Sequence, residues 1–435
     1  MFRLITRRIG TMILTMLFVS IAVFVASEVA PGNIARHILG NYVTAEQEAA
    51  FLKQLGMDQP LLSRYLTWLV GSDWRAAKLV GMPLERVKRP GADYYEWWAV
   101  DGDGRYVRWD LDGEDLVAQY LQPDGSTVSQ TENTRWQTGE DGAAMFWGVS
   151  PKNSAALWQK GGDQPYWMRA KSGGYWTEQK GGAVRYIPLQ KGLLRGDPGE
   201  SLVTGRPVGD IIARRLQNSL LLAGISFVFM MPLALFLGIV AGVKQGTLID
   251  RILSIGGLTS TATPEFATGV FLILIFSSWL GVLPGATVFV NERAAFENPT
   301  MLILPVLTLT LIELGYVLRI TRASMVEVMD TCYIRTAILK GLPDWYIVFK
   351  HALRNALMAP ITVILLHVGW LIGGIVVVEA IFGFPGLGRY MIDAAFTKDV
   401  FALEAGSMVF VAIAVLTQLL ADIIYTYLNP RVRYT

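Results

Sequence analysis

Three carboxylates stand in or beside long apolar runs of this chain: Glu265, directly after Pro264, then Glu313 and Glu379. An ionisable group in such a run is costly to hold in lipid, and by default it faces a bundle interior or a solute pathway. Pore lining or gating is the chemistry these acids would do. The plainer alternative is structural pairing inside a bundle or, for Glu379, an interfacial position. Pro264 would break its helix, which is tolerated where backbone lines a cavity or packs on protein. The chain carries no G-x-x-x-x-G-K-[ST] segment that would cradle nucleotide phosphates. Neither G-x-S-x-G nor H-E-x-x-H occurs. His37, His351 and His367 are scattered without ligand spacing, and Cys332 is the single cysteine, so no metal site and no intrachain disulfide are expected. Nothing in the sequence points to catalysis.

The elements around these acids are those of a membrane protein. The chain has 435 residues, 52% apolar and 17% charged, against about a quarter charged in soluble domains. The deficit is concentrated in a few long segments. The formal charge of +2 excludes a strong nucleic-acid footprint. A span needs about 20 apolar residues, and six segments qualify: Ile9–Ser27, Ser219–Val243, Ile252–Leu283, Thr300–Leu318, Met358–Phe382 and Ala402–Tyr427. The first follows Arg3, Arg7 and Arg8 and ends near small residues, as a secretory signal does. It is long for a signal core, and more spans follow, so it reads as a span. Lys and Arg near span ends set orientation. With a cytoplasmic N-terminus, the inner segments hold Lys244 and Arg251, then Arg319, Arg322, Arg335, Lys340, Lys350 and Arg354, then Arg431 and Arg433. The short outer loops balance Arg293 against Glu292 and Glu297, and Arg389 and Lys398 against Asp393, Asp399 and Glu404. Both termini are therefore expected in the cytoplasm, with residues 31–215 outside.

Within that outer segment, residues 73–191 are a different material. Trp97, Trp98, Trp109, Trp136, Trp147, Trp158, Trp167 and Trp176 fall here, among short β-branched runs and turn signals. Asp101-Gly-Asp-Gly, Asp112-Gly, Pro123-Asp-Gly, Glu140-Asp-Gly and glycine pairs at 161, 173 and 181 punctuate them. Asp-Gly between alternating apolar runs signals a hairpin. The expectation is a small antiparallel β-domain of six to eight strands, a meander or small barrel. Its aromatics would build a small core or, alternatively, bind sugar or peptide. Asp101-Gly-Asp-Gly hints at a calcium loop, but Tyr106 stands where such a loop needs glycine, so a hairpin turn is expected.

The most specific stretch is Thr331–Pro360, TCYIRTAILKGLPDWYIVFKHALRNALMAP. A helix runs to Lys340, Gly341 supplies the left-handed residue that ends it, and Pro343 opens the next helix without losing a needed donor. Two short helices joined by Gly-Leu-Pro on a basic face look like a docking device. The stretch resembles the cytoplasmic coupling loop of bacterial ABC-importer permeases, in the dipeptide/oligopeptide form (RTA-x-x-KGL, then HALRNAL). A second block, Glu379-Ala-Ile-Phe-Gly-Phe-Pro-Gly-Leu-Gly-Arg-Tyr390, resembles the FPGLG segment of peptide and nickel permeases. There Phe384, Pro385, Gly386 and Gly388 would force an outer turn, and Tyr390–Thr397 would form a re-entrant or interfacial helix. Ala30–Gly32, Leu55–Leu69 and Arg195–Ala223 also match that family, whereas about 73–191 does not.

The resemblance implies a six-span importer permease core of α-helices, with a β-rich extracytoplasmic domain inserted between the first and second spans. The parts would be residues 1–72, the insertion 73–191, and a core 192–435 whose coupling loop is 322–357. It implies half of an ATP-driven translocation pathway for peptides or similar small solutes in the bacterial inner membrane. The partners implied are a second homologous permease, two cytoplasmic ATPases that bind the ATP, and an extracytoplasmic substrate-binding protein. No cofactor is implied in this chain. In the loop, Gly341 would set the turn and Ala337 would allow close helix approach. Arg335, Lys340 and Arg354 would frame the contact, and Thr336, Pro343 and His351 complete the motif. Arg335-Thr336-Ala337 stands where the generic loop has Glu-Ala-Ala. Gly369, Gly373 and Gly374 would serve close helix packing. The competing reading is a membrane-anchored receptor or carbohydrate-binding protein that works through the aromatic outer domain.

Overall fold

The computed structural model describes residues 2–29, 34–40, 43–90, 92, 94–112, 115–138, 144–160, 166–169, 176–179, 183–287 and 298–428. The loop with Glu292, Arg293 and Glu297, and Arg431 with Arg433, lie outside them. The chain divides into two units. One comprises Met1–Ser20, Ile212–Asp393 and Gly406–Thr435, the other Ile21–Ile211 and Ala394–Ala405.

The first unit is helical. Helix α1 (Phe2–Val29) begins in it, and short helices α2 (Ile34–Leu39), α3 (Ala45–Gln54), α4 (Leu61–Val70) and α5 (Asp73–Val80) follow in the second unit. The helical unit then takes α6 (Val208–Val243), α7 (Leu248–Ala262) and α8 (Glu265–Leu272), the last continuing as a π-turn through Ile273–Trp279. Next come α9 (Thr300–Met329), α10 (Cys332–Leu339), α11 (Asp344–Ala356, with a π-turn at Ile347–Ala352), α12 (Met358–Phe382), α13 (Leu387–Thr397) and α14 (Val400–Leu428). Ile9–Ser27, Val208–Val243, Thr300–Met329 and Val400–Ile424 are each long and apolar enough to cross a membrane. Three bent pairs reach that length together, one of them α7 with α8, broken by 110° at Pro264.

The most apolar stretch of helix α9 is two-thirds buried, and the helix centres the unit. Its Leu304 and Leu309 pack with Leu222 of α6 and with Leu371, Ile375 and Phe382 of α12. Outward faces are apolar too, as at Phe229 and Phe236 of α6 and Phe266 and Phe271 of α8, which is the surface a bilayer covers. Backbones approach closely through glycines other than those the sequence suggested. A Cβ on Gly315 of α9 would lie 2.2 Å from the Gly257 carbonyl oxygen of α7. One on Gly238 or Gly242 of α6 would strike Thr321 or Met325 of α9. By contrast, Gly369 and Gly373 face open space, and the nearest atoms to Gly374 are those of the Glu265 side chain. Packing glycines are selected by the partner helix, which one helix's sequence does not display.

The second unit holds the strands. β1 (Leu84–Lys88), β2 (Tyr95–Val100), β3 (Tyr106–Asp112), β4 (Asp115–Leu121) and β5 (Thr127–Thr131) form an antiparallel meander. β6 (Gln137–Thr138), β7 (Ala144–Ser150), β8 (Ser154–Gln159) and β11 (Arg185–Pro188) form a second sheet in the order β11-β8-β7-β6. β9 (Tyr166–Arg169) and β10 (Trp176–Gln179) pair with each other. The described residues thus hold eleven strands in three sheets, not six to eight in one meander or barrel. Strand β11 returns to β8 past the β9–β10 hairpin, a long-range pairing that local turn signals do not announce.

Two expected turns are present. Asp101 Oδ1 accepts from the backbone N–H groups of Asp103 (3.0 Å) and Arg105 (2.9 Å), closing the β2–β3 hairpin. Asp124 Oδ1 accepts from Ser126 N–H at the β4–β5 turn. The turns at Asp112-Gly, Glu140-Asp-Gly and the three glycine pairs fall outside the described residues wholly or in part. Trp97, Trp109 and Trp158 lie in the sheet core with Val107 and Leu116. Trp109 meets Phe146 edge-on at 5.3 Å, and Phe146 stacks on Trp158 at 6.0 Å. Trp98 is buried beneath the Arg108 guanidinium, 4.4 Å from its ring centre.

Candidate coupling face and embedded polar groups

The segment after α9 is built on a turn that the residues dictate. Thr331 is the N-cap of α10, and its hydroxyl donates to the Val328 carbonyl at 2.6 Å. Lys340 ends the helix, and Gly341 takes φ of 73° with nothing near a prospective Cβ, so glycine is required there by backbone conformation alone. Pro343, at φ −68° and ψ 145°, precedes α11. Met325, Ile334, Ala337, Ile347, Val348, Ala352 and Ala356 form one buried cluster. That cluster fixes the two short helices to the end of α9, and Ala337 is in it.

The outer side of the same turn is unusual. Leu339 is 88% exposed, Phe349 70% and Trp345 66%. Arg335, Lys340, Lys350 and Arg354 are exposed beside them. Among the described residues, Arg335, Lys340 and Arg354 have no ion-pair partner. Lys350 donates to the Tyr346 hydroxyl at 2.6 Å, and His351 is half-buried with its ring 5.7 Å from that of Tyr346. Thr336 donates back to Cys332 carbonyl within α10. Large exposed apolar side chains interspersed with cations, on a segment whose other side is packed, are what an interface presents. Sequence reading found the basic frame and the glycine but passed over Leu339, Trp345 and Phe349. Three large apolar residues on a segment this charged were the available signal.

Arg322, at the start of the expected coupling segment, clamps α9 to α7. Its Nε and Nη2 donate to Asp250 at 2.5 and 2.8 Å. Asp250 is buried and also accepts from Gly246 N–H (2.9 Å) and Ser254 hydroxyl (3.1 Å).

One of the three acids, Glu313, meets a residue the sequence left unassigned. Glu313 of α9 is buried, and its Oε2 lies 2.5 Å from Nδ1 of His367 on α12. The His367 ring lies 4.4 Å from that of Tyr316. Glu265, just beyond the Pro264 break, rests its carboxylate against Gly374 of α12. His367 lies 54 residues from Glu313, so spacing alone could not pair them.

Glu379 sits apart, fully buried at the end of α12. It accepts from the Ser219 hydroxyl of α6 at 2.5 Å and from Arg389 N–H at 3.1 Å. Ser219 in turn accepts from Leu387 N–H at 2.8 Å, and Asn218 donates to the Pro385 carbonyl at 2.9 Å. A Cβ on Gly386 would lie 1.9 Å from Glu379 Oε1, and one on Gly388 2.7 Å from the Val376 Cα. Phe384 and Leu387 are fully buried. The 384–388 turn is thus folded around the Glu379 carboxylate, and α13 leaves it at 74° to the preceding half of α12. Asn218 and Ser219 were not singled out, although two polar residues opening a long apolar run marked them.

Residues 234–434 match the family described as binding-protein-dependent transport system inner membrane component. Residues 1–78 match the N-terminal part of such membrane components. The oligopeptide transport system permease protein AppB of Bacillus subtilis (strain 168) is 35% identical over 254 residues, 58% of this chain and 80% of that protein. The chain belongs to this permease family. The glutathione transport system permease protein GsiC of Escherichia coli (strain K12) is 37% identical over 241 residues, 55% of this chain and 76% of that one. A crystal form of the inward-facing MetNI methionine ABC transporter covers 50% of this chain and 96% of its own at 18% identity, with a TM-score of 0.42. The permease is a multi-pass membrane transport subunit with a β-rich region. All eleven strands lie between the two family matches.

Proposed function

We propose that the permease forms half of the pathway of an ATP-driven importer for peptides or similar small solutes and is driven through the knob around Gly341. The exposed Leu339, Trp345 and Phe349 among the cations Arg335, Lys340, Lys350 and Arg354, set on the buried cluster around Ile334 and Ala337, carry the reading. The knob would dock in a groove of a cytoplasmic ATPase, which would bind the ATP, as the sequence here has no G-x-x-x-x-G-K-[ST] segment. Six crossings with both termini cytoplasmic, and α7 with α8 as one broken span, agree with the distribution of Lys and Arg. A second permease would complete the pore, and a binding protein would deliver solute to the outer face. The oligopeptide and glutathione relatives support a peptide-class solute. Residues 73–191 would be an insertion on the receiving face, contacting the binding protein or capping the pore mouth. Glu265 and Glu313 would line or gate the pathway, and Glu379 would hold the outer turn.

Co-purification from the native membrane tests this directly. Wild type should bring down an ATPase and a second permease, and Gly341→Asp should lose the ATPase while keeping the permease. If no ATPase accompanies wild type under conditions that preserve complexes, the coupling reading fails.

A further inference from the structure

The outer unit carries a second apolar surface, on α4. Its sequence, LLSRYLTWLV, contains no acid, and its buried side is formed by Thr67 and Trp68. Leu62, Leu66 and Val70 recur every fourth residue and are exposed, so they form one stripe along the helix. Leu194 is exposed beside the end of that stripe, where Arg195 donates to the Val70 carbonyl at 3.0 Å. In α5, exposed Trp74 has the Arg75 and Lys78 cations 5.8 and 5.7 Å from its ring centre.

What covers this stripe is indicated by its neighbour. Tyr65, at the margin of the stripe, packs edge-on against Phe24 at 5.3 Å. Phe24 lies in the last turns of the Ile9–Ser27 segment. Helix α4 is therefore tied to the end of a membrane span, at the depth where lipid tails give way to headgroups. A tryptophan flanked by basic side chains is the anchor used at that depth. A ten-residue helix is about 15 Å long, so one face of it falls well short of the roughly 800 Å² a stable protein partner covers.

We propose that the Leu62–Leu66–Val70 stripe lies in the outer leaflet, with Trp74 at the headgroups, so that α4 floats the start of the outer segment on the bilayer. This rests on reading Ile9–Ser27 as a span. The test uses the full chain with its accompanying subunits, reconstituted in phosphatidylethanolamine and phosphatidylglycerol nanodiscs. Cys332→Ser gives a background for single cysteines carrying an environment-sensitive fluorophore. Leu66→Cys and Val70→Cys should be quenched more by a spin label on the fifth acyl carbon than by one on the twelfth. Phe18→Cys, exposed on α1, should show the reverse order, and Val128→Cys, exposed on β5, should be quenched by neither. If positions 66 and 70 are unquenched while position 18 responds, water or a protein subunit covers the stripe and the proposal is overturned. If position 18 is unquenched as well, the span reading falls first.

Discussion

The two units use the same kind of side chain in opposite ways. In the β-rich unit, Trp109 and Trp158 are buried and both pack on Phe146, joining the two larger sheets. At the Gly341 turn, Trp345, Phe349 and Leu339 stand in the open on a firmly packed base. Aromatic abundance marks the first region, yet Trp97, Trp98, Trp109 and Trp158 there are buried in the fold. The proposed docking site is the one that keeps large apolar groups exposed beside charge. For locating function in this chain, surplus exposure is a better guide than composition.

Several substitutions would break or sharpen that contrast. Trp109→Ala should have the largest effect, about 3–5 kcal/mol of lost stability in the outer unit, with ATPase association unchanged. Hydrogen exchange of β3, β4 and β7 would measure it; equal loss of ATPase binding would mean the two regions are not separable as described. Arg322→Ala leaves Asp250 buried without its cation and should cost about 3 kcal/mol in the helical unit, read as a lower unfolding temperature in detergent.

Lys152→Met comes next. Burial pushes the Lys152 ammonium down to about 8, against an attraction from Asp110. Below that pH the folded and unfolded chains both hold the proton, so the cost of burying the charge is fully present. Between about 8 and the ordinary 10.5 the folded chain has lost the proton while the unfolded chain keeps it, so wild-type stability should rise with pH across that window. The methionine variant should be more stable by about 2 kcal/mol near pH 7 and lack that rise, as followed by exchange of β7 and β8. Leu339→Asp, at an exposed position, should leave unfolding unchanged yet weaken ATPase association by about 2 kcal/mol, roughly thirty-fold. Unaltered affinity would remove the knob from the interface.

Much of this architecture was legible because membrane physics writes itself locally. Long uncharged runs marked the helices, Gly341 and Pro343 marked the turn, and Pro264 marked the break between α7 and α8. The candidate site was half legible. Its charged frame followed from residue type, but exposure of Leu339 and Trp345 depends on which face the α9 end takes, which only packing decides. Glu313–His367 and Glu379–Ser219 are partners across 54 and 160 positions, invisible to spacing. The second sheet escaped for the same reason, since β11 pairs with β8 across an intervening hairpin.

The contact of Gly257 with Gly315 and the Asp250–Arg322 clamp fasten α7 to α9 at two points. From Val306 to Met329, below Pro305, α9 runs without proline for about 36 Å. A beam that cannot flex converts a push at one end into rotation, and a tilt of about 10° over that length swings the far end by about 6 Å. On the proposed coupling, such leverage would turn a small closure at the Gly341 turn into a wide displacement deep in the bundle, and loosening the joint between the two helices would shorten that stroke.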